Sequence, residues 1–294
     1  MEIRVLEYFL AVAREQNISR AAEFLHLTQP TLSRQLIDLE KELGKQLMIR
    51  GNRKITLTED GMLLRKRAEE IINLVHKTES EVKQSGDVIS GNIFIGAGET
   101  EGVRYIAKIA KKIKDLYPDV QFHIVSGDAI DICEKLDKGL LDFAVLLGKT
   151  DASKYNCFTL PFKDKWGILM KKDSELASKR AITPQDLYDK PLIVSRQASR
   201  FNELSDWMQT NISQLNIAAT YNLIYNASLM VDEGLGYAFD LDNLINTTGN
   251  SNLCFVPLSP SLTLDVSIVW KKYQVFNKAS ELFIKMLKKE FSKT

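Results

Sequence analysis

The sequence is poor in the residues on which cross-linking, metal binding and catalysis usually rest. Cys133, Cys157 and Cys254 are an odd number, set far apart, with no C-x-x-C pair. That distribution argues against a disulfide framework and against a structural zinc site. The three histidines, His26, His76 and His123, fall in three different segments, so no HxxxH, HExxH or His/Cys cluster is available to a metal. No G-x-S-x-G elbow is present for a serine nucleophile. No catalytic residue, metal or cofactor is therefore expected. Long apolar runs are also missing: stretches such as Phe143-Ala144-Val145-Leu146-Leu147 are far below the ~20 residues that span a bilayer. Charges within Met1-Glu2-Ile3-Arg4-Val5-Leu6-Glu7 interrupt what would have to be a signal peptide's apolar core. The expectation is a soluble cytoplasmic protein without a membrane partner.

Net charge is the last absence. The chain holds 39 Lys and Arg against 38 Asp and Glu over 294 residues. This excludes a histone-like basic protein, an acidic disordered tail and a low-complexity chain. It leaves DNA binding open, because that requires a local basic patch and not a basic total. The length suggests about two domains.

Periodicity organises the first sixty residues. Leu6, Phe9, Leu10 and Ala13 follow one helical face. Ser19 is a suitable cap for a second helix from Arg20 to His26 that buries Ala22 with Leu25 or Phe24. Pro30 then sits in the first turn of a third helix, which Gly44 stops. Leu32, Leu36, Leu39 and Leu43 form the apolar stripe of this helix, and Gln29, Thr31, Ser33, Arg34 and Gln35 lie off it. Short polar donors and an Arg at a helix N-terminus suit a recognition helix in the major groove, although a solvated helix pair also exposes polar residues. Gln46-Leu47-Met48-Ile49 and Lys54-Ile55-Thr56-Leu57 read as strands of a hairpin around Arg50-Gly51-Asn52-Arg53. Arg50, Arg53 and Lys54 on that hairpin would lay cations along the phosphate backbone as a wing.

These residues resemble the LysR-type transcriptional regulators. The resemblance lies in Phe9-Leu10-Ala11-Val12-Ala13, Ser19-Arg20-Ala21-Ala22 and Leu27-Thr28-Gln29-Pro30-Thr31-Leu32-Ser33-Arg34-Gln35. It continues through Leu39-Glu40-Lys41-Glu42-Leu43-Gly44 and Leu57-Thr58-Glu59-Asp60-Gly61, about sixty residues in all. One departure is Met48, where the family usually has Phe; Met is a tolerant core filler. The resemblance implies a winged helix-turn-helix over residues 1–58, a dimerising linker helix over 59–87 and an effector-binding domain over 88–294. It further implies a homodimer or homotetramer on promoter DNA, DNA bending, a small-molecule effector and a possible contact with RNA polymerase.

The linker reading has its own support. Thr58 can cap a helix whose first turn carries Glu59 and Asp60. Leu64, Ala68, Ile71, Val75, Thr78 and Val82 recur at a 3.5-residue period, the pattern of a coiled-coil seam. Leu64, Ala68, Ile71 and Val75 are accordingly the expected dimer contacts, although an amphipathic helix packed on its own domain shows the same spacing.

From Asn92 onward, apolar strands alternate with amphipathic helices, the mark of a parallel α/β sheet. Strands are read at Asn92–Gly96, Val120–Val125 and Asp142–Leu147, with helices at Glu101–Tyr117 and Ile130–Lys138. A second unit has strands at Trp166–Met170, Pro191–Ser195, Ala219–Tyr225 and Gly236–Phe239. Helices lie between them near 184–188, 200–211 and 227–233, and a strand, Leu264–Trp270, and a helix, Asn277–Phe291, close the chain. Two such lobes, about 91–161 with 267–294 and about 162–266, resemble the type-2 periplasmic-binding-protein fold of the family's effector domain. Ligands in open α/β sheets sit beyond the strand carboxyl ends, against helix N-termini. The loops there carry Gly98, Glu99, Thr100, Ser126, Asp128, Lys149, Ser195, Arg196, Gln197 and Ser228 as candidate effector contacts. Thr100 and Ser126 serve equally well as helix caps. Glu99, Asp128 and Asp240 on the same rim fit a zwitterion or an amine better than a pure anion, and the choice stays open.

Two rival readings are weaker. A transporter's solute-binding protein shares the C-terminal fold but is expected to have a signal peptide and not a winged helix at its front. For a nucleotide-dependent enzyme, Gly96-x-Gly98-x-x-x-Gly102 is one residue too long for the dinucleotide fingerprint, and Gly148-Lys149-Thr150 lacks the P-loop's upstream glycine.

Overall fold

A computed structural model of the protein describes residues 1–51, 54–83, 89–196 and 202–292. The chain divides into two compact units, Met1–Ser85 and Gly86–Thr294.

The first unit is built on three short helices: α1 (Ile3–Glu15), α2 (Ile18–Phe24) and α3 (Gln29–Leu43). Phe9, Val12, Ala21, Ala22, Leu32, Leu36 and Leu39 close a common core. The cap of α2 is Asn17, whose side chain accepts from the Arg20 N–H at 3.1 Å, and not Ser19. The helix therefore starts two residues earlier than its sequence suggests. Phe24 turns outward, with the Arg14 guanidinium over its ring at 4.1 Å. Leu43, the last member of the expected stripe, is likewise exposed, because α3 ends there and Gly44 leaves in the left-handed region.

Strands β1 (Met48–Arg50) and β2 (Ile55–Leu57) pair antiparallel as the hairpin. Met48 is buried at its base, filling the place its sequence suggested. The long helix α4 (Glu59–Lys83) follows. Thr58 caps it, accepting from the Gly61 N–H at 3.0 Å while its own hydroxyl donates to the Gln46 carbonyl.

The face of α4 turned to the core corrects the seam. Leu64, Ala68 and Ile72 pack against Leu6 and Leu10 of α1. Leu64 and Ala68 are therefore committed to their own domain and are not free for a partner helix. Ile71 is exposed and Val75 half-buried, so these two remain on the uncovered side.

The second unit carries one mixed sheet of nine strands among the described residues. Strands β3 (Gly91–Ala97), β4 (Val120–Ser126) and β5 (Phe143–Leu147) run parallel with α5 (Val103–Leu116) and α6 (Ala129–Asp137) between them. Ile106, Ile109 and Ile113 form the buried face of α5, and Leu116 in its last turn is exposed. The chain next runs through β6 (Tyr155–Lys171), a single strand of 17 residues where the sequence suggested only its apolar end. Strands β7 (Leu192–Ser195), β8 (Ile217–Tyr221) and β9 (Tyr237–Leu241) build the other lobe with α7 (Asn202–Met208) and α8 (Ile224–Asp232). The 184–188 segment is a single 3-10 turn, Pro184–Asp186. Strand β10 (Leu253–Pro257), unforeseen in the sequence, pairs with the far end of β6. Finally β11 (Thr263–Lys271) returns along β6, and α9 (Lys278–Phe291) packs into the first lobe through Phe283 and Leu287.

Gly61 makes the tightest joint in the first unit. A Cβ there would lie 2.0 Å from the Leu47 carbonyl oxygen, a backbone atom that cannot swing away. Gly61→Ala should force α4 off the hairpin and cost about 1–3 kcal/mol, as overpacking does. Thermal or urea denaturation of the full chain checks this. A variant that melts with the parent would mean that the joint yields freely.

Candidate functional site

At the start of α3 the backbone is closed off by Thr28, whose hydroxyl accepts from the Thr31 N–H and lies 2.8 Å from the Thr31 hydroxyl. Pro30 occupies the first turn, where its missing N–H removes no helix bond. Gln29, Pro30, Thr31 and Arg34 are exposed, and Ser33 and Gln35 are half-exposed. With Leu32, Leu36 and Leu39 fully buried beneath them, these polar groups form one outward surface. Arg50 joins it, donating from Nη1 to the Ser33 hydroxyl at 3.2 Å. Lys54 is exposed at the other side of the hairpin, and Arg53 lies outside the described residues.

Glu40, which sequence reasoning did not single out, holds the hairpin to α3. Its Oε1 accepts from the Leu47 and Met48 N–H groups at 2.7 and 3.1 Å. The signal was a glutamate on the rim of α3 four residues before its glycine cap. Nothing in the local sequence marks its partner, because the bond joins two different elements.

In the second unit a cavity of about 90 Å³ lies at the strand carboxyl ends between the lobes. Gly98, Glu99, Asp128 and Ser195 of the expected contacts line it. Val145, Leu147, Trp166, Leu244 and Leu264 supply much of its apolar wall.

The remaining expected contacts stand elsewhere. Thr100 is buried, donating to Asp164 Oδ2 at 2.5 Å and accepting from the Gly102 N–H at 2.9 Å, so its hydroxyl serves the turn and not the cavity. Ser126, Lys149 and Arg196 are exposed and do not line the cavity. Gln197 lies outside the described residues. Ser228 is buried within α8, its hydroxyl donating to the Tyr225 carbonyl at 2.7 Å. That misplacement follows from the β8 boundary: the strand stops at Tyr221, and Asn222 and Ile224 face the cavity in place of Ser228.

The electrostatics of the cavity are one-sided. Glu99 accepts from the Ile224 N–H at the start of α8, tying the first lobe to the second. Asp128 caps α6, accepting from the Ile130 and Asp131 N–H groups at 3.0 Å each. Asp240, only 2% exposed, accepts from the Leu241 N–H at 2.7 Å. Burial, opposed by that hydrogen bond and reinforced by the charges of Glu99, Asp242 and Asp164, pushes its carboxyl up to about 8. Burial likewise raises Glu99, against the pull of the Ile224 N–H, and lifts Asp164 to about 6. Among the described residues, no Lys, Arg or His lines the cavity.

Comparison with known proteins fits both halves of this architecture. Residues 3–62 match the bacterial regulatory helix-turn-helix of the LysR family, and residues 86–292 match the LysR substrate binding domain. The chain belongs to the LysR family of transcriptional regulators: it is a DNA-binding regulator with an effector-binding domain. It is 26% identical to the HTH-type transcriptional regulator YvbU of Bacillus subtilis over 99% of both chains. It is 30% identical to the dual regulator OxyR of Escherichia coli over 66% of this chain and 63% of that one. Full-length CbnR in complex with its target DNA has the same fold, with a TM-score of 0.77 at 17% identity over 98% of this chain and 99% of that one. Among the described residues no helix is long and apolar enough to cross a membrane.

A pH dependence follows from Asp240. Its ordinary value is 3.8, and the folded chain holds its proton to about 8. Between these values the unfolded state binds fewer protons, so this group makes stability fall as pH rises. Asp240→Asn should gain on the parent across that window, by at most ~1.4 kcal/mol per pH unit, and the gain should level off above it. Denaturation of both proteins from pH 4.5 to 8.5 measures the difference; parallel curves would place the Asp240 proton elsewhere.

Proposed function

We propose that this regulator reads its operator with the first turns of α3 and steadies itself on the phosphates with the hairpin. The observation that carries this reading is the outward surface of Gln29, Pro30, Thr31, Ser33, Arg34 and Gln35 above a fully buried leucine stripe. Arg34 and the glutamines have the reach and geometry for base edges in the major groove, while Thr31 and Ser33 suit phosphates. Arg50, Arg53 and Lys54 contribute counter-charges along the backbone. CbnR, which shares the fold, was solved on its target DNA, and that supports the same use of this unit here.

Regulation runs through a homodimer or homotetramer, since one winged helix reads half of a two-fold site. The uncovered side of α4 is the dimer contact, with Ile71 and Val75 continuing into Thr78 and Val82; a shallow, mainly apolar groove lined by Leu74, Val75, Thr78, Glu79 and Val82 supports this reading. A small effector enters the cavity between the lobes and alters their packing, and by linkage it shifts DNA binding only by its differential affinity for the two arrangements. The chain works in the cytoplasm, where its promoter DNA is, contacts RNA polymerase, and carries out no chemistry of its own.

Two substitutions separate base reading from phosphate contact. Arg34→Ala should weaken binding to the specific operator by ~1–3 kcal/mol and relax its base preference, with random DNA little affected. An equal loss on both DNAs would make Arg34 a phosphate contact. Arg53→Glu with Lys54→Glu should weaken every DNA about equally and flatten the slope of log K against log salt. An unchanged slope would remove the hairpin from the interface. Gel shift or fluorescence anisotropy at several salt concentrations reads both.

A further inference from the structure

The cavity between the lobes has the shape of an effector site but the wrong charge for the usual kind of anion clamp. Helix N-termini are the ready-made anion sites of such folds, because their first N–H groups are free and the helix dipole is positive there. Here the chain itself already draws on both neighbouring termini: Asp128 takes two N–H groups of α6, and Glu99 takes the first N–H of α8 at Ile224. No cationic side chain among the described residues lines the space to replace them.

What the cavity offers instead is acceptors. Asp240 is nine-tenths buried and more, borders the cavity, and has among the described residues one hydrogen-bond partner, the Leu241 N–H on its own strand. Its remaining lone pairs face no donor of the described chain. The carboxylate of Glu99 lines the same space. On its other side Asp240 borders a polar recess that contains Arg104, but that guanidinium is held by Glu101 at 2.8 and 3.1 Å. The hydroxyl of Tyr221, also in the wall, is spent on the Phe239 carbonyl at 2.6 Å.

Resting on the reading of this cavity as the effector site, the geometry points to a ligand with an apolar body and a single protonated amine, the ammonium held between Asp240 and Glu99. Val145, Leu147, Leu244 and Leu264 form the wall for the apolar part. The ammonium supplies the donors that Asp240 lacks and takes the place of the proton that the buried carboxyl otherwise keeps. A bare metal ion is a poorer occupant, because among the described residues no three His, Cys, Asp or Glu side chains converge to hold one.

Matched small molecules test the charge. Isopentylamine, isopentanol and isovalerate share one apolar body, as do phenethylamine, phenethyl alcohol and phenylacetate. Each is titrated into the full chain by calorimetry, with thermal shift in parallel. The amines should bind at least tenfold more tightly than the alcohols, and the carboxylates should not compete. Asp240→Asn should lose at least tenfold in amine affinity while melting as a folded protein, and Leu264→Trp, which fills the cavity, should abolish binding. Carboxylates or alcohols that bind best, and that Leu264→Trp removes, would keep the effector site and overturn the amine. Amine binding that survives both substitutions would overturn the placement. Failure of every compound, with operator affinity unaltered in Leu264→Trp, would overturn the effector reading itself.

Discussion

The effector-binding unit depends on one ladder, the antiparallel pairing of β6 with β11. It runs from Tyr155 opposite Lys271 to Lys165 opposite Thr263. Each strand belongs to both lobes: β5 pairs with β11 on one side, and β9 and β10 with β6 on the other. The register slips between Asp265 and Ser267, opposite the stretch of β6 that carries Pro161. A proline, which has no N–H to give to a ladder, is tolerated at such an irregularity and not in a regular central strand. The ladder thus fixes the lobes side by side and bends where they part, and the cavity opens beside it at Trp166 and Leu264.

In the DNA-binding unit a comparable part is played by a single carboxylate. A three-residue strand pair has too little area to hold its own position. Glu40 supplies what the hairpin lacks by accepting two successive backbone N–H groups from Leu47 and Met48. From the other end, the Ile55 N–H donates to the Gln16 carbonyl at 2.9 Å, joining β2 to the end of α1. The hairpin is therefore held in register with α3 by backbone groups, and Arg50 reaches Ser33 as a consequence.

Much of this was legible in the sequence, and the failures have physical reasons. The helices of the first unit and the parallel strands β3, β4 and β5 follow from apolar period and end signals, which are local. The long strand β6 did not, because Pro161 and Lys163-Asp164-Lys165 break the apolar run that would have marked it. The seam of α4 was right in period and misplaced in face. Leu64 and Ala68 share the repeat with Ile71 and Val75, yet the first two are covered by α1, and no helical spacing encodes which neighbour covers a face. Ser228 failed for a boundary error of a few residues, which moved a helix residue into a loop. Thr100 took the capping alternative, accepting from the Gly102 N–H, and the partner that receives its own proton, Asp164, is 64 positions away.

The acids of the cavity were visible as residue types, but their meaning came only from what they touch. Charge in the chain is balanced at +1, and even residues 1–58 carry just nine Lys and Arg against seven Asp and Glu. Totals of this kind cannot distinguish an acid in solvent from one in a wall. Asp128 and Glu99 are each occupied with a helix terminus, whereas Asp240 is buried near other acids with no cation beside it among the described residues. The Glu99 contact has a further consequence for regulation. It joins a loop of the first lobe to the first N–H of α8 in the second, so a ligand that draws on Glu99 competes for a group that also holds the lobes together. Linkage asks of an effector only that its affinity differ between lobe arrangements, and a ligand group shared with a contact between lobes is a direct way to meet that condition.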